Sequence, residues 1–234
     1  KNNPSYATGF MLEDGRRNLR LWDEQRLTTW FDEFLPSLDL ENPAVVDLQI
    51  DSTMYWIQKF DLDGFRHDAT KHIPLDFWRK LTRRLKEERV SKGKKVYQIG
   101  ETYGSRDLVN SYIGSGLLDS QFDFNLYFDS RSSFALQEPS MQVVADALEQ
   151  SLSYYGHHNT MGYMTGNHDQ ARFISYAGGA LRMDEDPRAA GFEREVGVGD
   201  PIAYRKLQMM TASIHKRLVR ASLAKLGQNI IKMT

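Results

Sequence analysis

The sequence predicts an α/β chain forming part of a (β/α)8 TIM barrel, and three observations carry that reading. Short apolar stretches end in isolated acids, at Asp68, Glu101 and Asp169. Asp68 and Glu101 lie 33 positions apart and Glu101 and Asp169 lie 68 apart; a barrel of this class gives each strand–helix unit roughly 31 residues, so these are one and two units. Between the acids, apolar residues recur at helical spacing. The unit skipped between Glu101 and Asp169 needs its own strand, and Leu118–Phe128 supplies it. The four strands, ending near residues 68, 101, 126 and 169, read as strands four to seven. The early strands and the eighth are not seen, since three preceding units would need roughly 90 residues.

Taken in order, residues 1–27 are rich in Asn, Gly, Arg and Asp without a sustained period, and read as loop or the remnant of an inserted subdomain. The barrel portion spans 28–212 and opens on an aromatic, acidic stretch, Thr28 to Leu35. Pro36 keeps Leu35 out of helix. Asn42-Pro43 is a helix start, with Asn42 capping and Pro43 in the first turn; Val46, Ile50, Met54 and Ile57 mark its core-facing stripe to about Phe60. After the Asp68 strand, Pro74 starts a second helix with Phe77, Leu81 and Leu85 on its buried face, ending before Ser91–Lys94. Asp107 to Ile113 reads as a short helix, Gly114 to Gly116 as a turn, and Met141 to Tyr155 as a helix burying Val144, Leu148 and Leu152. Residues 177–201, rich in Gly and charge, read as a long surface loop, the kind that carries function. A helix resumes at Ala203, and 213–234 is a basic amphipathic segment of a different pattern.

Composition narrows the function classes. With 234 residues and 41% hydrophobic content the chain can build one sizeable core. A net charge of −1, with basic residues spread through the chain until its last twenty positions, excludes the basic stripe of a nucleic-acid binder. The absence of cysteine excludes disulfides and thiolate metal sites and leaves the compartment open. No apolar run reaches the length of a membrane span. The chain starts on polar residues with no signal peptide, an internal-looking start that is silent about export.

The chemistry concentrates in Asp63-Gly-Phe-Arg-His-Asp-Ala-Thr-Lys-His72. Arg66 and Asp68 share parity along a strand and so point to one face. An arginine beside a carboxylate holds it ionised and oriented, which is how a nucleophile is made; a buried ion pair that only fixes register fits the decapeptide equally well. Acids at the outgoing ends of neighbouring barrel strands converge on one face. Asp68, Glu101 and Asp169 are therefore expected to share a cleft. Two such carboxylates, one ionised and one held protonated, are the working pair of a retaining glycosidase.

These residues also carry a resemblance. Gly64-Phe-Arg-His-Asp-Ala-Thr-Lys-His72, Gly100-Glu-Thr102 and Asn167-His-Asp169 resemble the second, third and fourth signature regions of the α-amylase family of glycoside hydrolases, in the family's order, and Leu35-Pro-Ser-Leu-Asp39 is similar to its auxiliary fifth region. The resemblance implies Asp68 as nucleophile oriented by Arg66, Glu101 as general acid and base, and Asp169 as transition-state stabiliser beside Asn167 and His168 on the sugar hydroxyls. It places Lys71 and His72 on the acceptor-side sugar. It requires no cofactor and allows Ca2+ through the His72 carbonyl. The implied substrate is an α-glucan or malto-oligosaccharide. The family's first signature, Asp-xxx-Asn-His, and its eighth strand are absent from the chain. The expected activity is retaining hydrolysis of α-1,4-glucosidic bonds. Transglycosylation, a cyclodextrin- or pullulan-type specificity, and a catalytically incompetent glucan-binding fragment are the alternatives.

Tyr103 and Tyr176 follow strand ends, where a ring can stack on sugar. Trp56, Phe77 and Trp78 read as core because they sit on helices, and Met209-Met210 as packing. His157-His158 lacks a partner at metal-ligand spacing, and Arg182, Arg188 and Arg194 read as solvated.

Overall fold

The computed structural model describes residues 10–15, 18–32, 34–136 and 140–214. The start of the 1–27 segment and all but two residues of the basic 213–234 segment lie outside them. The chain divides into two compact units, one through Phe122 and one from Asp123.

The first unit is built around a parallel sheet in the order β1-β2-β3, comprising Gly64–His67, Tyr97–Gly100 and Ser120–Gln121. Parallel neighbours need a crossover, and helix α3, Leu75–Glu88, makes the one between β1 and β2. Helix α2, Pro43–Lys59, precedes β1, and α1, Leu19–Glu24, precedes α2. The short helix α4, Arg106–Asn110, lies between β2 and β3.

The expected helix starts are formed. The Asn42 side chain accepts from Ala44 N at 3.0 Å with Pro43 in the first turn. Ile50, Met54 and Ile57 of α2 are buried against Phe77, Trp78, Leu81 and Leu85 of α3. Each such aliphatic side chain contributes about 1.5–3 kcal/mol by leaving water. A polar seam runs along the same pair of helices, with Lys80 Nζ donating to Asp47 Oδ1 at 2.5 Å and Gln58 Nε2 to Glu88 Oε2 at 2.9 Å. Trp78 is core as expected, but Trp56 is not: its ring is about half exposed and stacks on Phe60 at 5.6 Å.

Three sequence expectations are corrected here. Residues 1–27 are not all loop, since Asn18 accepts from Leu21 N and starts α1. Leu118–Phe128 is not one strand: β3 is only Ser120–Gln121, and Phe124–Ala135 is helix α5 of the second unit. Asp123 decides this, because its Oδ1 accepts from Leu126 N at 3.0 Å and caps the helix. Thr160–Asp169 is not a regular strand. It runs extended and irregular, with the Gly162 carbonyl accepting from Asp123 N at 3.0 Å.

The other elements described in the second unit are helices joined by loops. Helix α6, Met141–Tyr155, has the expected limits and packs Val144 and Leu148 inside. Helix α7 is Phe173–Ala177. The expected long loop contains a further helix, α8, Pro187–Glu193, capped by Asp186 with Pro187 in its first turn. Gly179 and Gly199 form an antiparallel bridge across that excursion. A last helix runs over residues 202–214, with Met210 buried and Met209 exposed.

Candidate active site

The register of the sheet fixes where the first two acids go. Arg66 pairs with Ile99 and His67 with Gly100, so Asp68 and Glu101 each stand one residue past neighbouring strands. Two hydrogen bonds lace those ends: Glu101 N donates to the His67 carbonyl at 2.8 Å, and Thr70 N donates to the Glu101 carbonyl at 2.9 Å. The buried Thr70 hydroxyl also accepts from Glu101 N at 3.1 Å. Ala69 takes a left-handed conformation (φ 47, ψ 40), an uncommon state for a residue with a Cβ, and turns the chain so that its backbone N–H meets Glu101.

Strand alternation puts Arg66 and Asp68 on one face and His67 on the other. Arg66 Nη1 contacts Asp68 Oδ1, and Arg66 Nη2 lies 2.9 Å from Glu101 Oε2, so one guanidinium bridges both carboxylates. The two acids are unequal. The Asp68 side chain is 71% exposed and that of Glu101 only 15%. Burial, and after it the hydrogen bond to Asp68, push Glu101 above the usual carboxyl range; Arg66 and the Ala69 N–H oppose that shift. Of the two carboxyls, Glu101 is therefore the one whose surroundings favour the protonated form. This is the division of roles a buried acid beside an exposed anion is suited to perform.

On the opposite face His67 Nε2 donates to Gln98 Oε1 at 3.1 Å, with its ring against Trp78 at 4.7 Å. His72 Nδ1 donates to the Arg26 carbonyl at 2.9 Å, and its ring packs against both Trp22 and Phe31, which also touch each other. Burial lowers both imidazoles to about 4. An unfolded histidine titrates near 6.5, so between those values the unfolded chain holds more protons and stability rises with pH. Stability is accordingly expected to fall as pH drops from about 6.5 toward 4, by at most about 2.7 kcal/mol per pH unit for two imidazoles, and the melting temperature to fall with it. Calorimetry on the protein and on His67→Gln and His72→Gln checks this. A melting temperature flat from pH 7 to 5 would refute it.

The remaining expected residues are placed as follows. Tyr103 is exposed two positions beyond Glu101. Lys71 does not face an open cleft: its side chain is 4% exposed and paired with Asp23. His72 is half-buried, with its ring against Trp22 and Phe31 and its Nδ1 on the Arg26 carbonyl. Tyr176 is buried, with the Arg131 guanidinium 4.9 Å from its ring centroid, so its ring is not offered to a ligand. In the second unit, Asn167, His168 and Asp169 form a turn of their own. Asn167 Oδ1 accepts from Asp169 N at 3.0 Å, and His168 Nε2 lies 3.3 Å from Asp169 Oδ2, with both side chains largely exposed. The structure thus brings Arg66, Asp68 and Glu101 together in the first unit, and Asn167, His168 and Asp169 together in the second. Asp23, Thr70 and Ala69 were not foreseen; only the buried-charge logic of Lys71 signals that a carboxylate must meet it.

For the allowed Ca2+, the residues around His72 offer a poor ligand set. Asp23 is neutralised by the Lys71 ammonium, and the described residues contain no group of three or more His, Asp or Glu that could hold a metal. No described helix is long and apolar enough to cross a membrane.

The family model for the α-amylase catalytic domain matches residues 12–205. The chain belongs to the α-amylase family. Among curated relatives, α-amylase 2 of Schizosaccharomyces pombe is 32% identical over 139 residues, covering 59% of this chain and 22% of the relative. The α-amylase of Streptomyces lividans is 29% identical over 182 residues, covering 73% and 20%. The chain therefore spans about a fifth of the length of these α-amylase relatives. Among solved structures, the Geobacillus thermoleovorans α-amylase in complex with acarbose aligns at a TM-score of 0.59 and 29% identity, over 66% of this chain and 34% of that one. An Anoxybacillus α-amylase aligns at 0.59 and 28%, over 66% and 33%.

Proposed function

We propose that this α-amylase-family chain carries the nucleophile and acid of a retaining glycoside hydrolase acting on α-1,4-glucosidic bonds of α-glucans or malto-oligosaccharides. The observation that supports it best is the unequal carboxyl pair: exposed Asp68 and enclosed Glu101, bridged by Arg66. In this reading protonated Glu101 gives its proton to the glycosidic oxygen as the bond to the anomeric carbon breaks. Asp68 bonds to that carbon on the opposite side, forming a glycosyl-enzyme. Glu101, now ionised, takes a proton from water, which displaces Asp68 and restores both groups. Arg66 keeps Asp68 anionic and aimed. The family resemblance gives Asp169 the role of third acid and Asn167 and His168 that of hydroxyl contacts, and Tyr103 offers a ring to a bound sugar. That the three-stranded parallel sheet is part of a (β/α)8 barrel belongs to the same proposal, supported by the family match.

Proton NMR of the first products from maltoheptaose tests it. The α-anomer should form first and mutarotate afterwards, whereas initial β-anomer would overturn the mechanism. A relative named cyclomaltodextrinase, from Geobacillus thermopakistaniensis, is 28% identical over 150 residues, so β-cyclodextrin belongs beside maltoheptaose in the assay. Faster opening of the ring than cleavage of the linear chain would reassign the substrate without changing the chemistry.

A further inference from the structure

Lys71 is a buried charge that the proposed chemistry does not use. Its Nζ donates to Asp23 Oδ1 at 2.5 Å and to the Tyr103 carbonyl at 2.6 Å, and sits 4.9 Å from the Trp22 ring centroid. Its own carbonyl accepts from the buried Tyr112 hydroxyl at 3.1 Å. One ammonium thus joins three segments distant in sequence: α1, the turn after β1 and the loop after β2. The packing is close on the far side too, since a Cβ on Gly104 would lie 3.6 Å from Asp23 Oδ2 and 2.8 Å from Leu108 Cδ2. An ammonium this enclosed persists only when a carboxylate and further acceptors satisfy it. Asp23 and the Tyr103 carbonyl meet that demand.

We propose that Lys71 and Asp23 are positioning residues: together they clasp α1 against the strand-end loops as a wall of the site and fix Tyr103 as a sugar-stacking platform. The clasp stands on the contacts alone. Only the identity of the ligand rests on the glycosidase reading. A sugar contact by the Lys71 ammonium would require it to leave Asp23, so the proposal also removes Lys71 from the ligand-contacting set.

The test is hydrogen–deuterium exchange together with maltoheptaose kinetics on the protein and three variants. In Asp23→Asn, amides of residues 19–26 and 102–105 should exchange about tenfold faster while 97–100 keep their protection, as expected for local opening. The kinetic loss should fall on KM rather than kcat, and Asp23→Glu should recover most of it. If Asp23→Asn does not fold, the apolar replacement D23L/K71M decides, because swapping a buried ion pair for hydrophobic residues is tolerated. It should fold yet speed exchange at 102–105, where the bond to the Tyr103 carbonyl is gone. Wild-type exchange at 102–105 in D23L/K71M, or at both segments in Asp23→Asn, would overturn the clasp. A loss confined to kcat would overturn the positioning role. Failure of the wild-type protein to act on maltoheptaose would sink the glycosidase reading and leave the exchange result to judge the clasp.

Discussion

Asp68→Asn is expected to lower turnover of maltoheptaose by at least about a thousandfold, because an amide cannot form the glycosyl ester that splits the reaction into two easier steps. The substitution is isosteric and the position is exposed, so folding should be unchanged. A second effect is expected in the same variant and does not depend on turnover. The Asp68 carboxylate raises Glu101 through a hydrogen bond and through its charge, while Arg66 lowers it. Removing the negative charge leaves burial alone to oppose ionisation, so Glu101 should titrate at lower pH than in the parent protein. Carbon-13 NMR of labelled Glu side chains reads this directly. Undiminished turnover would remove Asp68 from the nucleophile role. An unmoved Glu101 titration would instead mean that the two acids do not share a proton.

Gly64→Ala should be the most damaging small substitution in the first unit. Gly64 has φ +155, and a Cβ there would lie 1.8 Å from the Tyr97 carbonyl oxygen and 2.8 Å from Tyr97 N. These are backbone atoms of the neighbouring strand and cannot swing aside. The added methyl group must therefore push β1 away from β2, which also parts Arg66 from Glu101. A loss of about 3 kcal/mol or more is expected, a fall in melting temperature of roughly 6–12 °C for a chain of this size. Gly116→Ala is the control, since nothing lies within 4 Å of its added Cβ. Equal melting temperatures for the two variants would contradict the packing described for β1 and β2.

What the sequence discloses follows from how local its determinants are. Helices α2 and α3 are legible because a capping residue or proline marks each start, and one apolar face repeats every three or four residues. Asp68 and Glu101 are legible because a charged residue ending an apolar run has few other places to sit. The β3–α5 junction is not, since Phe122, Phe124, Leu126 and Phe128 alternate as a strand would. Only the Asp123 cap, with Tyr127 and Phe134 buried at helical spacing, shows that the chain winds instead. Residues 160–169 mislead for a related reason: an apolar run ending in an acid reads as a strand, but Gly162 and Gly166 weaken the case for one. The partner of Lys71 stands 48 positions earlier in the chain, and no periodicity encodes a contact at that range.

The lacing of β1 to β2 bears on how this protein can be altered. The spacing of Asp68 and Glu101 is set by strand register and by bonds among His67, Thr70 and Glu101, and the crossover through residues 75–96 touches this frame through Trp78 on the Thr70 carbonyl and Thr82 on Gln98. The rest of that outer excursion is open to redesign: its surface charges and terminal turns can be exchanged for those of another protein, provided the Phe77, Trp78, Leu81 and Leu85 face and the buried Thr82, which bonds Gln98 and the Leu117 carbonyl, are kept. Insertion or deletion of a single residue within 64–70 or 97–101 enjoys no such freedom, since a slip of one position in either strand would turn Asp68 or Glu101 to the far side of the sheet.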